Sequence, residues 1–397
     1  MLIGIVGKPS SGKSTFFKAA TLIDVPIAAY PFTTIKPNHG MGFARVECVD
    51  RELGVQCNPR FGVCRKGTRF VPVELMDVAG LVPGAHEGKG LGNQFLNDLN
   101  RADALIHIVD ASGTTNEKGE ATHGYDPVND VRFLEEELDL WYLGILKKGW
   151  TKFARQVQSN NTKIENALAT QLSAFRVTES IVALAIDKLK LDKEKPSEWS
   201  DDQMLGLARE LRHDTKPILI ACNKIDLPGA FENYERMKKV FPQYIFIACS
   251  GDSEIALKEA DKKGLVEYVP GSKDFNIIKP EALSDKQRNA LDYIRKMMER
   301  AGGTGVQETL DVAVFKLLKY MAIFPGGTKK LSDKDGNVLP DCFLLPPGST
   351  ALDFARKIHE DFAKNFLFAI DVRSKMRIGK EHVLKHRDVI EIVSASR

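Results

Sequence analysis

Eight residues near the start of the chain, Gly7-Lys8-Pro9-Ser10-Ser11-Gly12-Lys13-Ser14, have the types and spacing that grip a phosphate chain. They fit the pattern G-x-x-x-x-G-K-[ST], between a strand-like run at 2–6 and a helical run that begins near Lys13. Glycine permits the dihedrals and the close approach that let consecutive backbone N–H groups point inward at an anion. The N-terminus of the following helix adds partial positive charge. Lys13 supplies a point charge to the β- and γ-phosphates, and the Ser14 hydroxyl a ligand for Mg²⁺. The expected phosphate-binding set is therefore Gly7, Lys8, Pro9, Ser10, Ser11, Gly12, Lys13, Ser14 and Thr15.

Further along, Asp77-Val78-Ala79-Gly80 reads as D-x-x-G at a strand end. Asp77 is expected to hold Mg²⁺ through water, and the Gly80 amide to meet the γ-phosphate; the plainer alternative is an aspartate capping a turn. Thr34, or its neighbour Thr33, is the candidate Mg²⁺ ligand in a loop ordered by nucleotide. Catalysis is thus assigned to Lys13, Thr34 and Gly80, and metal binding to Ser14, Thr34 and Asp77. Asn223-Lys224-Ile225-Asp226 fits N-K-x-D after an apolar strand. The Asp226 carboxylate can accept from guanine N1–H and the 2-amino group, a donor pair adenine lacks. Asn223 can bind the base edge or tie loops together, and Lys224 can lay its stem across the ring. Unpaired buried polar groups cost a site about 10⁴-fold, so Asp226 can decide the nucleotide. Ser250 and Gly251 are placed to close the base pocket near O6, or simply to turn the chain into a helix.

The elements that must position these groups are short β-branched strands between helical stretches: 2–6, 41–48, 69–76, 104–109, 218–221 and 244–248. They predict an α/β fold, a Ras-like G domain with a mostly parallel sheet covered on both faces. From Thr151 to Leu205 there is no glycine, and the only proline is Pro196. Phe153, Val157, Ile164, Leu168, Leu172 and Phe175 recur as one stripe of an amphipathic helix. An inserted helical, coiled-coil-like domain is expected at 128–212, with extra helices laid on the sheet as the alternative. After Ala301-Gly-Gly-Thr-Gly305 a compact α+β region begins. Its expected parts are a strand at 321–324, a helix at 351–362 capped by Ser349 or Thr350, and strands at 366–371 and 388–393. The expected division is 1–127 with 213–305, then 128–212, then 306–397.

Composition bounds the rest. With 43% hydrophobic and 27% charged residues the chain is an ordinary globular one, large enough for two or three cores. A net charge of +3 leaves nucleic-acid contact to a local patch. Six cysteines without a C-x-x-C pair suit reduced thiols. No apolar run approaches the roughly 18 residues that span a bilayer. The expectation is a cytoplasmic monomer, without membrane or DNA contact.

Taken together, Gly7 to Ser14, Pro31-Phe32-Thr33-Thr34, Asp77-Val78-Ala79-Gly80-Leu81-Val82-Pro83-Gly84-Ala85, Gly88-Lys89-Gly90-Leu91-Gly92 and Asn223 to Asp226 resemble the Obg-like GTPases. The resemblance is to their YchF branch in an archaeal form, and the helical insertion fits that branch. Residues 307–397, above all LLPPGSTALDFARKIH, resemble its TGS domain, a ubiquitin-like β-grasp module. Residues 49–68 look peculiar to a subgroup. The resemblance implies a GTPase or ATPase associated with ribosomes and translation or stress control, with GTP as substrate and Mg²⁺ as cofactor. Many bacterial and eukaryotic relatives that prefer ATP carry glutamate where this chain has Asp226, which favours GTP. Many relatives have asparagine, a potassium ligand, at the position of Ser10; serine removes that support for potassium activation.

Where Ras-type enzymes carry a water-orienting glutamine, this chain has Leu81, which neither donates nor accepts. Slow intrinsic hydrolysis is expected unless a partner completes the site. His86 is read as solvent-facing, with water positioning as its alternative. Other functional readings are a nucleotide-regulated binding module with little hydrolysis, and an ATP-specific hydrolase. Cys48, Cys57 and Cys64, with His39 upstream, read as small buried thiols, or else as structural zinc ligands in an unfamiliar spacing. Arg373, Lys375, Arg377, Lys380, Lys385 and Arg387 form either an RNA-binding patch or a solvated basic face.

Overall fold

The computed structural model describes residues 1–21, 38–78, 84 and 99–395. Thr33, Thr34, Gly80, Leu81 and His86 lie outside the described residues, so their expected roles rest on sequence alone. The chain divides into two compact units, one of Leu2–Phe16 and Met76–Gly251, the other of Met1, Phe17–Leu75 and Asp252–Arg397.

In the first unit, strands Leu2–Val6, Ala104–Asp110, Ile218–Asn223 and Ile245–Ala248 lie side by side in that order, all parallel. The first three are buried at every position, which is why they read as continuous apolar runs. Their register brings the carboxyl ends together, with Val6 beside His107, Asp110 beside Asn223 and Cys222 beside Ala248. That edge is where open α/β sheets hold ligands. The Val78 N–H donates to the Ile5 carbonyl at 3.0 Å and brings the end of strand Thr68–Asp77 to the same edge.

Five helices follow between the second and third of these strands: Val128–Lys147, Trp150–Ser159, Ile164–Gln171, Glu179–Leu189 and Asp201–Thr215. The two longest pack along one another. The shorter ones complete a separate core around Leu146, Leu168, Ile186 and Leu207. The stripe expected of one helix is divided among two helices and a 3-10 turn, Ser173–Phe175, and Asn161, with a left-handed φ of 52°, ends the first of them. Ser200 opens the last helix with a reciprocal capping box to Gln203.

In the second unit, strands His39–Glu47 and Thr68–Asp77 are neighbours. The run 49–68 contains a short strand, Val63–Arg65, antiparallel to the start of Thr68–Asp77. The turn between them is Lys66-Gly67, with φ of 52° and 81°, the left-handed pair that a tight hairpin requires. Residues beyond 320 form a mixed five-stranded sheet in the order Phe343–Leu345, Met321–Pro325, Val389–Ser394, Phe366–Asp371, Arg377–Ile378. Its central pair, Met321–Pro325 and Val389–Ser394, runs parallel. Helix Ala351–Ile358 buries Ala351, Phe354 and Ala355, with Phe354 in a core that holds Ile323, Leu345 and Ile390. This is the expected β-grasp arrangement. Thr350, not Ser349, is the cap, in a box with Asp353. The helix stops at His359, short of the expected 362, and Glu360–Lys364 follows as a separate turn of helix.

Candidate nucleotide site

The glycine loop leaves the first strand at the sheet's carboxyl edge. Gly7 sits at φ 149°, and a Cβ there would lie 2.4 Å from the Ile108 carbonyl oxygen. Gly12 sits at φ 91°, where a Cβ would fall 2.1 Å from Asn223 Nδ2. Neither position admits a side chain, so the two glycines of the pattern are fixed by the neighbouring strands as well as by any phosphate. Ser10 is also left-handed, at φ 59°. Helix Lys13–Thr21 starts directly from the loop, its first turn closed by Phe16 N–H to Gly12 O at 2.8 Å.

Lys13 Nζ donates to the Lys8 carbonyl at 2.7 Å, which curls the side chain over the loop it serves. Burial pulls its pKa from 10.5 to about 8, against the attraction of Asp77. Lys8 behaves differently. Its ammonium donates to the Thr115 carbonyl at 2.7 Å, pairs with Asp130 at 2.9 Å and lies 4.0 Å from the Tyr125 ring centre. Its side chain therefore braces the loop from behind, which leaves only its backbone for a phosphate. Pro9 is backed by Gly119, where a Cβ would lie 2.7 Å from it.

Ser14 Oγ donates to Asp77 Oδ2 at 3.2 Å. Burial pushes the Asp77 carboxyl up, against the pull of Ser14 and Lys13. Asp77 Oδ1 and Ser11 Oγ are buried without hydrogen-bond partners. A hydroxyl beside a carboxylate with an unpartnered oxygen is the hard, oxygen-only donor set that Mg²⁺ takes, so Ser14 and Asp77 fit the expected ion.

On the other side, the Asn223 side chain joins the two halves of the site. Its Nδ2 donates to the Ser11 carbonyl at 3.1 Å, and its Oδ1 accepts from the Gly251 N–H at 3.0 Å. Of the two roles expected for Asn223, the structure shows the tie between loops. Lys224, left-handed at φ 59°, pairs through Nζ with Asp110 Oδ2 at 2.8 Å. Asp226 sits half-buried in the turn closed by Leu227 N–H to Lys224 O at 3.0 Å. Ser250 is buried, and Gly251 opens helix Gly251–Lys262 with no room to spare beside Thr15.

Two participants were absent from the sequence expectations. Asp110 is fully buried and gathers Lys224, Ser112, Thr114 and Thr115. Burial alone would raise its pKa, yet Lys224 and the hydroxyls of Ser112 and Thr115 bring it below the ordinary carboxylate value. Its position at a strand end opposite Asn223 is the signal that could have marked it. Glu137, on the first inserted helix, accepts from the Gly84 N–H at 2.7 Å.

A glycine loop shaped for phosphate at the carboxyl edge of a parallel sheet, braced across to an N-K-x-D turn, defines a P-loop nucleotide-binding protein. Residues 2–136 match the family model of 50S ribosome-binding GTPases. Residues 221–326 match the G4 motif-containing domain of YGR210-like Obg-like GTPases, and 331–394 the TGS domain. The chain is 47% identical to the "Uncharacterized GTP-binding protein MJ1332" of Methanocaldococcus jannaschii, over 100% of both chains. It is 28% identical to the "Ribosome-binding ATPase YchF" of Bacillus subtilis, over 98% of this chain and 97% of that one. The crystal structure of a GTP-binding protein from Pyrococcus horikoshii superposes with a TM-score of 0.78 at 39% identity, over 100% of both. The chain belongs to the family of Obg-like GTP-binding proteins, its residues 221–326 of the YGR210-like kind, and it is similar over nearly its whole length to proteins named YchF.

Proposed function

We propose that the protein is a Mg²⁺-dependent GTP hydrolase, a slow nucleotide switch that acts in the cytoplasm on a ribosome or its RNA. The observation that carries this reading is Asn223, which holds the phosphate loop at Ser11 and the base-side loop at Gly251 with one amide. That brace presents the Asp226 turn to a purine whose phosphates lie in the Gly7 to Ser14 loop. Asp226 is the reason for GTP over ATP, although the Bacillus relative is named an ATPase.

Lys13 and the loop amides would stabilise charge on the transferred phosphoryl group as water attacks in line. Ser14 and Asp77 would hold the Mg²⁺, which supplies charge neutralisation across the β- and γ-phosphates. The ribosome link rests on the Bacillus relative's name, and on the match of residues 2–136 to the 50S ribosome-binding GTPases. The same proposal includes 1–127 with 213–305 as the nucleotide module, 128–212 as the helical insertion and 306–397 as the TGS module.

Single-turnover hydrolysis of GTP and ATP, with and without ribosomes, tests the reading, alongside nucleotide titrations of Asp226→Ala. Turnover of GTP, stimulation by ribosomes, and loss of the GTP preference in Asp226→Ala are expected. No turnover in either condition would leave a binding module. An unchanged preference in Asp226→Ala would mark an ATP-type site.

A further inference from the structure

The segment 48–64 brings four donors to one point. Cys48, Asp50, Cys57 and Cys64 place one ligand atom each within 4.8 Å of all the others. Cys48 Sγ lies 3.6 Å from Cys57 Sγ, and Cys64 Sγ lies 3.8 Å from Asp50 Oδ2. The thiols are free, and 3.6 Å is far longer than the roughly 2.05 Å of a disulfide. A tetrahedral zinc with bonds of about 2.3 Å to sulfur and about 2.0 Å to oxygen sets donor–donor edges of about 3.8 and about 3.5 Å. The Cys48–Cys57 and Cys64–Asp50 separations lie within about 0.3 Å of those edges, and all four donors lie within 4.8 Å of one another.

Burial and charge point the same way. Asp50 is 3% exposed, and the partners it shows are the Arg51 and Cys57 N–H groups and the Cys64 thiol. It makes no ion pair among the described residues. A carboxylate taken out of water in that way is costly unless a cation answers it. Small buried thiols, as space-filling groups, give no reason for three sulfurs and a carboxylate to converge. Arg69, buried opposite Cys64 in the hairpin, donates to the Leu339 and Pro340 carbonyls at 3.0 and 3.1 Å. Its charge would offset part of the excess negative charge of three thiolates and a carboxylate around a divalent ion.

We infer that Cys48, Asp50, Cys57 and Cys64 form a structural zinc site, a closed tetrahedral Cys₃Asp centre. His39, the upstream residue that the sequence offered, is engaged with Glu74 at 2.8 Å; Asp50 supplies the fourth donor. The sulfur-rich set selects zinc over magnesium or calcium. The site pins the segment that carries the β-grasp module. Asn58 and Arg60 N–H groups donate to Val338 and Pro340 at 2.9 Å each, and Cys48 and Cys57 share a core with Phe324 and Leu339.

Elemental analysis of the reduced full-length protein, purified without chelators, should find about one zinc per chain. Metal-free protein titrated with Co²⁺ should give the intense visible bands of a tetrahedral thiolate site, bleached by Zn²⁺. The Cys48→Ser, Cys57→Ser double variant should lose both signals, and Cys342→Ser should keep them. Asp50→Asn, which leaves every thiol in place, should weaken zinc at least tenfold in chelator competition. Substoichiometric zinc with no tetrahedral Co²⁺ spectrum, iron in place of zinc, or full affinity in Asp50→Asn or in the double variant would overturn the assignment.

Discussion

Gly12 stands where the Asn223 amide needs the space of a side chain, and its φ of 91° is strained for any L residue. Gly12→Ala should therefore displace Asn223 from Ser11 and Gly251 together, and reduce nucleotide affinity by at least ~100-fold, read by titration with a fluorescent GDP analogue. Lys13 makes a second prediction, with opposite directions for two observables. Burial lowers its pKa to about 8, so nucleotide affinity should fall above pH 8, by up to about tenfold per unit, as the ammonium loses its proton. In the nucleotide-free protein, the unfolded lysine binds the proton more tightly than the folded one between about pH 8 and 10.5. The wild type should therefore gain stability over that window relative to Lys13→Met, measured by urea unfolding at several pH values. At this scale, what could be read in sequence were contiguous patterns whose chemistry dictates each residue type. Lys8 was legible as a loop position but not as a brace, because Thr115 and Asp130, which hold it, are remote in the chain.

Among the elements, the strand Ala104–Asp110 does more than its apolar pattern announced. It delivers Asp110 to the edge beside Asn223, where the carboxylate fixes Lys224 from 114 residues away. Asp110→Asn should destabilise the fold by ~3 kcal/mol, since a partnered buried charge is lost and Lys224 is left behind. Urea unfolding should show much of the loss restored in the Asp110→Asn, Lys224→Met pair, a coupling that independent effects would not give. The buried strands were read correctly because a parallel sheet covered on both faces selects uninterrupted Val, Ile and Leu. The hairpin at Val63–Arg65 escaped because its three residues carry no alternation, only the Lys66-Gly67 turn. The amphipathic stripe at 153–175 was legible as a helical face; periodicity alone does not show that Asn161 interrupts it.

At the scale of the whole chain, the basic stretch near the C-terminus is less available than its composition implies. Glu52 engages both Arg373, at 2.8 Å, and Arg387. The Arg377 guanidinium lies 3.5 Å from the Phe368 ring centre. Arg387 also pairs with Glu47 at 3.2 Å, so Glu52→Ala should free the Arg373 guanidinium alone and tighten RNA binding. It should also steepen the slope of log affinity against log salt by about 0.7, from filter binding to a single-stranded RNA. The inserted helices could be anticipated from the helical stripe, and the TGS module from the Pro-Pro-Gly-Ser-Thr entry to its helix. The docking of 48–64 against residues 338–340 could not, because it joins positions about 280 apart through backbone groups that every residue type carries.

The double attachment of Asn223 also bears on what the site can discriminate. A lone inorganic phosphate or a free purine base engages one bank of a bridge whose far footing stays unloaded. A whole nucleotide presses on both at once and is rewarded by a rigidity that neither fragment can recruit.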